Sequence, residues 1–300
     1  VATTALLSFK PEMHNFAHRI TREDLYATLK FAVITAIILP VLPNRTFGPP
    51  PFNVVNPFTV WLLVIFISGI SFIGYVLMKV IGVRKGMGLT GLLGGLASST
   101  AVTLSFTRNS KDKPGLSRPF ALAIVLAWTV MFARVAILVG VLNWDLANLI
   151  LPAFVVPILA GLAYCLYLVR KERPVDKAEL SVVNPFELWP AFTFALLFTL
   201  IMLLTKTAQM NLGIKGIYLT SFVSGLVDVD AIALSMAQLS RAQGEIGLSL
   251  GGRSILLAAL ANTILKGLLV IGMGSPGLRR AIAPGFLLMA ATTLLVIFII

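Results

Sequence analysis

Long apolar stretches separated by short polar connectors run along most of this chain of 300 residues. A helix needs about 20 apolar residues to cross the roughly 30 Å hydrocarbon core of a bilayer. The chain contains nine stretches of about that length, at 25–43, 58–82, 88–106, 119–142, 146–169, 186–205, 217–239, 254–274 and 281–300. The charged or Pro-rich connectors between them are typical of loops. The pattern therefore predicts an all-α, polytopic membrane protein.

The amino end is predicted to differ from the rest of the chain. Residues 1–9 resemble the tail of an earlier span, and the sequence starts with Val1 rather than Met. We expect the chain to continue a longer protein, with a polar linker helix completing 1–24. The first complete span and a Pro-rich loop then occupy 25–55.

The remaining sequence repeats itself weakly. Residues 89–105 align without a gap on 219–235, and the identities include Gly95 with Gly225. Asn-Pro-Phe opens an apolar block in each half, at 56–58 and again at 184–186. We interpret 56–183 and 184–300 as two membrane repeats, an organisation that is common in secondary transporters.

The orientation of the repeats depends on how often each one crosses. If all nine segments span, the repeats are parallel, and the loop lysines and arginines divide about evenly between the two sides. If 88–106 and 217–239 instead break or re-enter, the repeats are inverted and most basic loops gather on one side. The second arrangement follows the positive-inside rule, so we predict it.

Two acids lie inside one of these apolar stretches. An ionisable side chain at bilayer depth is costly and marks a candidate functional site. The repeat alignment places Asp228 and Asp230 on Ser98 and Thr100. Glycines nearby are expected to allow a helix break or a close backbone approach. The full candidate set comprises the oxygen-bearing residues Asp228, Asp230, Ser98, Ser99, Thr100, Thr103 and Ser224, the charge partners Arg134, Lys266 and Asn262, and the glycines Gly91, Gly94, Gly95 and Gly225.

These residues allow two interpretations. Hard cations such as Mg²⁺ prefer oxygen ligands, and Na⁺ or a proton can use the same groups, so Asp228 and Asp230 are candidate ligands for a transported or sensed ion. Both acids reach one ion only if the helix unwinds between them. Alternatively, the acids form buried ion pairs with Arg134 and Lys266 that only fix helix packing. The two basic residues would also repel a divalent ion, which favours proton coupling or an anionic substrate.

Composition narrows the class of protein. Hydrophobic residues make up 58% of the chain and charged residues 12%, with a mean hydropathy of +0.94. The net charge of +12 is better explained by basic loops that contact anionic lipid than by nucleic-acid binding. One cysteine and two histidines argue against a disulfide framework or a Cys- or His-rich metal site. Without a recognisable catalytic motif, we do not expect an enzyme or a cofactor other than a bound Mg²⁺ or Na⁺.

Several motifs carry a resemblance to a known family: 25–34, 42–45, 67–74, 91–101 and 224–231. Together they resemble the carboxy-terminal membrane domain of unknown function in large bacterial MgtC/SapB-type proteins. The resemblance implies a multi-pass protein of the bacterial inner membrane, preceded by an MgtC-like domain and loosely associated with Mg²⁺ homeostasis. It leaves open whether the protein transports an ion or acts as a non-transporting regulator or scaffold, and whether it forms a homo-oligomer.

Overall fold

A computed structural model describes residues 22–48, 53, 55–81, 87–170, 188–241 and 246–300. The regular structure within these ranges is helical, and the one extended pairing is an isolated bridge between Phe47 and Val55. The helices are α1 (Arg22–Ala32, continued by a π-helical turn over Val33–Ile38 and by Leu39–Val41), α2 (Pro57–Ile81), α3 (Met87–Asp112), α4 (Ser117–Leu142), α5 (Trp144–Arg170), α6 (Leu188–Leu212), α7 (Ile214–Val227), α8 (Val229–Arg241), α9 (Leu248–Met273) and α10 (Pro276–Ile297).

By length and composition alone, seven of these helices, α2 to α6 with α9 and α10, could cross a membrane, although the path of α3 is interrupted at Ser98. Their side chains that face outward are largely apolar, which suits a lipid environment. The predicted class, an all-α polytopic membrane protein, is confirmed.

Two of the nine predicted segments differ from the structure. The segment 25–43 contributes a shorter apolar helix over Thr28–Val41 instead of a full-length span. The segment 217–239 is divided between α7 and α8, because the backbone of Asp228 is extended. The predicted linker over 1–21, the Asn-Pro-Phe motif at 184–186 and the boundary between the repeats lie outside the described residues.

Helix α3 folds back on itself at Ser98. Gly91 packs directly on the backbone of Ala123, and the ring of Phe106 lies 5.2 Å from the ring of Phe120. Residues 91 and 106 therefore lie at the same level of α4, although a straight helix would place them about 22 Å apart. The sequence prediction of a broken or re-entrant element is confirmed for the first half.

The long helices of the two halves run in opposite directions. Ser117, which begins α4, contacts Gly277 just after the end of α9. At the other end of the molecule, Arg241 Nη1 donates to the carbonyl of Leu142, 3.1 Å away, where α4 ends and α9 is about to begin. Helices α4 and α9 are therefore antiparallel, which is the inverted arrangement.

The last helix of each half follows the same rule. The hydroxyl of Tyr164 on α5 donates to the carbonyl of Ala281 on α10, and Gly161 contacts Met289. Later residues of α5 thus meet earlier residues of α10. We call the end of the molecule that contains 112–117 and 273–276 the basic end, and the end that contains 142–144, 241 and 246–248 the distal end.

Helix α4 forms the centre of the packed core. Its side chains are buried on nearly every face, including Phe120, Trp128 and Phe132, none of which has accessible surface. A helix that is apolar all round is expected to lie inside a bundle. Arg134 interrupts this apolar surface in the second half of α4.

Candidate functional site

The two halves break their helices at equivalent residues. Ser98 has φ −164° and ψ 107°, and Asp228 has φ −153° and ψ 118°. Both are extended backbones between helical segments, and the repeat alignment pairs these two residues. The correspondence read from the sequence is thus matched by the backbone.

Each break residue caps the helix that follows it. Ser98 Oγ accepts a hydrogen bond from the backbone N–H of Ala101 at 3.2 Å. Asp228 Oδ1 accepts from the N–H groups of Asp230 at 2.8 Å and Ala231 at 3.1 Å. The first N–H groups of a helix have no partner within the helix, so Ser and Asp are favoured there. In the second half, the cap is also negatively charged and faces the positive end of the helix dipole.

Glycine allows each helix before its break to lie against a neighbouring backbone. A Cβ at Gly95 would lie 2.7 Å from the Cα of Ala127, and one at Gly225 would lie 2.5 Å from the carbonyl oxygen of Ala258. Real Cβ atoms do not approach other atoms this closely, so a larger residue would separate the helices. Gly95 and Gly225 therefore lie where one helix backbone approaches another closely.

The two other predicted glycines also lie at close contacts. Gly91 contacts the backbone of Ala123 more tightly than any Cβ would permit. A Cβ at Gly94 would lie 2.7 Å from the side chain of Val102, across the fold of α3. All four glycines therefore belong to the packing around the breaks.

Arg134 connects the two halves through an ion pair. Its Nη2 contacts Asp230 Oδ2, and both side chains are buried. Its Nη1 donates to the carbonyls of Leu96 at 3.0 Å and Ala97 at 3.4 Å, where the first part of α3 ends. Those carbonyls have lost their helical partners because the chain turns at Ser98. One guanidinium thus satisfies a helix end of the first half and a carboxylate of the second.

Lys266 makes the reciprocal connection from the second half to the first. Its side chain is 1% exposed, and Nζ donates to Ser99 Oγ at 2.7 Å. Met131 Sδ lies 2.9 Å from the same nitrogen. Both of these partners are uncharged, so the predicted pairing of Lys266 with an acid is not seen. Among the described residues around the two breaks, the ion pair is the one between Arg134 and Asp230.

The two acids have separate roles. Asp230 is 4% exposed and pairs with Arg134, whereas Asp228 is half-buried and caps α8. Both hydrogen bonds to Asp228 use Oδ1, which leaves Oδ2 without a hydrogen-bond partner among the described residues. Asp228 is therefore the carboxylate better placed to exchange with water or an ion.

Some buried polar atoms near the breaks have no hydrogen-bond partner among the residues that the structure describes. Asn262 donates from Nδ2 to the carbonyl of Gly225 at 2.9 Å, but its Oδ1 is buried and unpaired. Asp230 Oδ1 and Arg134 Nε are likewise buried without a hydrogen bond. Unsatisfied buried polar atoms are uncommon and call for a bound water, an ion or a functional explanation.

The remaining predicted residues are not all in the cluster. Thr103 is buried, donates to the carbonyl of Ser99 at 2.7 Å and accepts from Trp128 Nε1 at 2.8 Å. Thr100 is exposed, so its hydroxyl does not join the buried contacts. Ser224 is buried and its carbonyl accepts from the N–H of Asp228.

Two residues of this region were missed by the sequence reasoning. Trp128 and Met131 contact Thr103 and Lys266, respectively. Met131 lies three residues before Arg134, on the same face of α4, and that spacing was the available signal.

A metal site built from acids alone is not apparent in the described part of the chain. No group of three or more His, Cys, Asp or Glu side chains there is placed to hold a metal ion. Two acids and two basic residues, Asp228, Asp230, Arg134 and Lys266, give the cluster a formal charge of zero.

The sequence between 65 and 274 matches the family model described as a domain of unknown function, DUF4010. The chain belongs to the DUF4010 family. A protein described only as uncharacterised, from Aquifex aeolicus (strain VF5), is 39% identical to this DUF4010 chain over 223 residues. That alignment covers 71% of the chain and 96% of the relative. No solved structure matches this member of DUF4010.

Proposed function

We propose that this DUF4010 protein is an ion-translocating permease in which Asp228 takes up a proton or a monovalent cation such as Na⁺. The observation that carries the proposal is the half-buried carboxylate at the break between α7 and α8, one oxygen of which has no hydrogen-bond partner in the described part of the chain. Broken helices in inverted repeats are a frequent basis of ion and substrate sites in secondary transporters. In this proposal, the protein moves an ion and catalyses no chemical reaction.

The contacts between the halves suggest how occupancy of Asp228 is coupled to movement. Arg134 with Asp230 and Lys266 with Ser99 join the repeats at the level of the breaks. Neutralising Asp228 lowers the negative charge next to Arg134 and Asp230 and changes the balance of this buried network. When these contacts change, a conformation in which the two halves pack differently becomes more favourable.

A bare divalent cation is a weaker candidate for the transported ion. Arg134 already occupies one oxygen of Asp230, and Lys266 lies in the same buried region. Mg²⁺ keeps most of its waters and needs several oxygen ligands, so two nearby basic residues oppose its binding. Magnesium therefore enters the proposal only as a condition to be tested.

A regulatory or scaffold role is the second candidate, and one observation favours it. Asp230 has an ion-pair partner, Asp228 caps a helix, and Lys266 has hydrogen bonds, so each charge also has a structural task. In this second role, the cluster fixes the positions of the helices and does not take up or release an ion. The links to an MgtC-like domain, to Mg²⁺ homeostasis and to the bacterial inner membrane, which the sequence resemblance implies, stay predictions.

Flux measurements on reconstituted protein separate the two candidates. We would measure dissipation of a pH gradient and of a Na⁺ gradient in proteoliposomes, with and without Mg²⁺, for the wild type and for Asp228→Asn. The amide keeps an oxygen that can cap α8 but cannot ionise. The permease proposal expects flux in the wild type and its loss in the variant.

The matched control is Ser98→Ala at the equivalent break of the first half. This variant perturbs a helix cap without removing a carboxylate, and we expect it to retain flux. Folding of all three proteins is compared by thermal unfolding in detergent. A wild type that moves none of these ions, with Asp228→Asn indistinguishable from it, would favour the scaffold role.

A further inference from the structure

A groove at the distal end has a chemistry different from that of the central cluster. Its cavity volume is about 640 Å³, which is within the range of small-molecule sites. Most of the lining consists of apolar side chains of α2 and α4, and three lining residues are polar. The lining comprises Leu62, Leu63, Ile65, Phe66, Val141 and Leu142, with Thr59, Gln238 and Arg241 as the polar members.

The position of the groove relates it to the bilayer. Leu62 is 47% exposed and Val141 is 59% exposed, so the apolar wall opens outward from two membrane-spanning helices. In a bilayer, an open apolar wall on two such helices would face lipid chains. The occupant is therefore expected to have an apolar part that lies along the wall.

Arg241 defines the other part of the occupant. It is exposed at the end of α8, and its Nη1 donates to the carbonyl of Leu142, which holds the guanidinium over the groove. A guanidinium has five N–H donors in a planar fork, so most remain available for an anion. Phosphate is the anion that a bilayer supplies at this level, and Arg binds it with paired hydrogen bonds.

We propose that this groove binds an anionic diacyl phospholipid, with its phosphate at Arg241 and an acyl chain against Leu63, Phe66 and Val141. The groove lies between α2 and α4 of the first half and α8 of the second. A lipid bound there contacts both halves at the distal end. Its occupancy therefore favours the arrangement of the halves described here over arrangements that separate α8 from α2.

Lipid retention measured by native mass spectrometry tests the proposal. Protein purified in mild detergent is incubated with phosphatidylglycerol or with phosphatidylcholine, and bound lipid is counted. We expect the wild type to retain phosphatidylglycerol preferentially. Arg241→Gln should lose that preference, whereas Arg280→Gln should keep it, because Arg280 is an exposed arginine near the start of α10, at the opposite end of the bundle.

A second pair of variants tests the apolar wall without altering charge. Val141→Trp fills the groove and should reduce retention of both lipids. Ile137→Trp is the control, because Ile137 lies one turn away on α4, is 58% exposed and does not line the groove. Equal retention by Arg241→Gln, Val141→Trp and the wild type would overturn the lipid site. These results do not depend on ion flux, so they stand apart from the permease proposal.

Discussion

At the residue scale, the centre of the molecule is organised by the ends of interrupted helices. A break leaves carbonyls of the preceding helix and N–H groups of the following helix without partners. Arg134 supplies donors to the carbonyls of Leu96 and Ala97, and Ser98 and Asp228 supply acceptors to the N–H groups. The polar residues within the apolar spans thus satisfy backbone groups that lipid could not.

The Arg134–Asp230 pair gives a prediction about stability. We expect Arg134→Met or Asp230→Leu alone to destabilise the protein by about 3–5 kcal/mol, because the remaining partner is left buried and uncompensated. The double variant should lose less than the sum of the two, with a coupling energy of about 1–3 kcal/mol. Reversible unfolding in mixed micelles measures all three, and strict additivity would show that the pair is not formed.

The helix cap at Asp228 gives a second prediction. Asp228→Ala removes the acceptor for two backbone N–H groups and should cost about 0.5–2 kcal/mol. Asp228→Asn retains an acceptor oxygen, and its loss should be clearly smaller. The same unfolding measurement compares them, with Lys113→Met, an exposed position, as the control that should stay within about 0.5 kcal/mol. Equal losses for the Ala and Asn variants would contradict the capping role.

At the element scale, the fold of α3 depends on residues that have no side chain. Gly91 and Gly95 are four residues apart, so they lie on one face of the first part of α3. That face meets Ala123 and Ala127, which are also four residues apart on α4. Two backbones in such contact gain packing where lipid provides no hydrophobic driving force.

Enlarging a glycine at this contact should disrupt the element. We predict that Gly95→Leu displaces the first part of α3 from α4, since the new side chain would overlap the backbone of Ala127, and overpacking costs about 1–3 kcal/mol or more. Gly115→Leu is the control, because nothing lies within 4 Å of a Cβ there. Fluorescence-detected size-exclusion chromatography after heating reports the folded fraction, and similar profiles for the two variants would argue against the contact.

At the scale of the whole molecule, inversion of the halves gathers basic residues at one end. Arg108, Lys111, Lys113, Arg279 and Arg280 lie within a few residues of the turns that form the basic end. Arg241 and Arg253 are basic residues that lie near the distal end. From the positive-inside rule, we predict that the basic end faces the cytoplasm.

Single-cysteine accessibility tests this orientation. Gly115, Gly272 and Gly247 have no neighbouring atoms within 4 Å of a Cβ, so cysteines there should be tolerated in a protein whose Cys165 has been replaced. We predict that Gly115→Cys and Gly272→Cys react with a membrane-impermeant maleimide only from the cytoplasmic side. Gly247→Cys should react only from the opposite side. Labelling of Gly115→Cys and Gly247→Cys from one side would exclude the inverted arrangement.

The sequence by itself determined the class of the protein, because apolar length and composition depend on the bilayer and not on tertiary contacts. It also determined the equivalence of Ser98 and Asp228, since an ungapped repeat carries that correspondence residue by residue. The cost of a carboxylate in lipid was enough to single out Asp228 and Asp230.

Only the tertiary structure decided which partner each charge has. Arg134 is 96 residues from Asp230, and Lys266 is 167 residues from Ser99, and no local pattern encodes pairings over such separations. The sequence predicted a broken or re-entrant segment at 88–106, but it could not show the level of α4 at which each part of α3 packs, because that depends on where Gly91 and Phe106 meet α4. The partner of each charged side chain and the direction of each helix relative to its neighbours are set by tertiary packing. They are decided only when segments distant in the sequence come into contact.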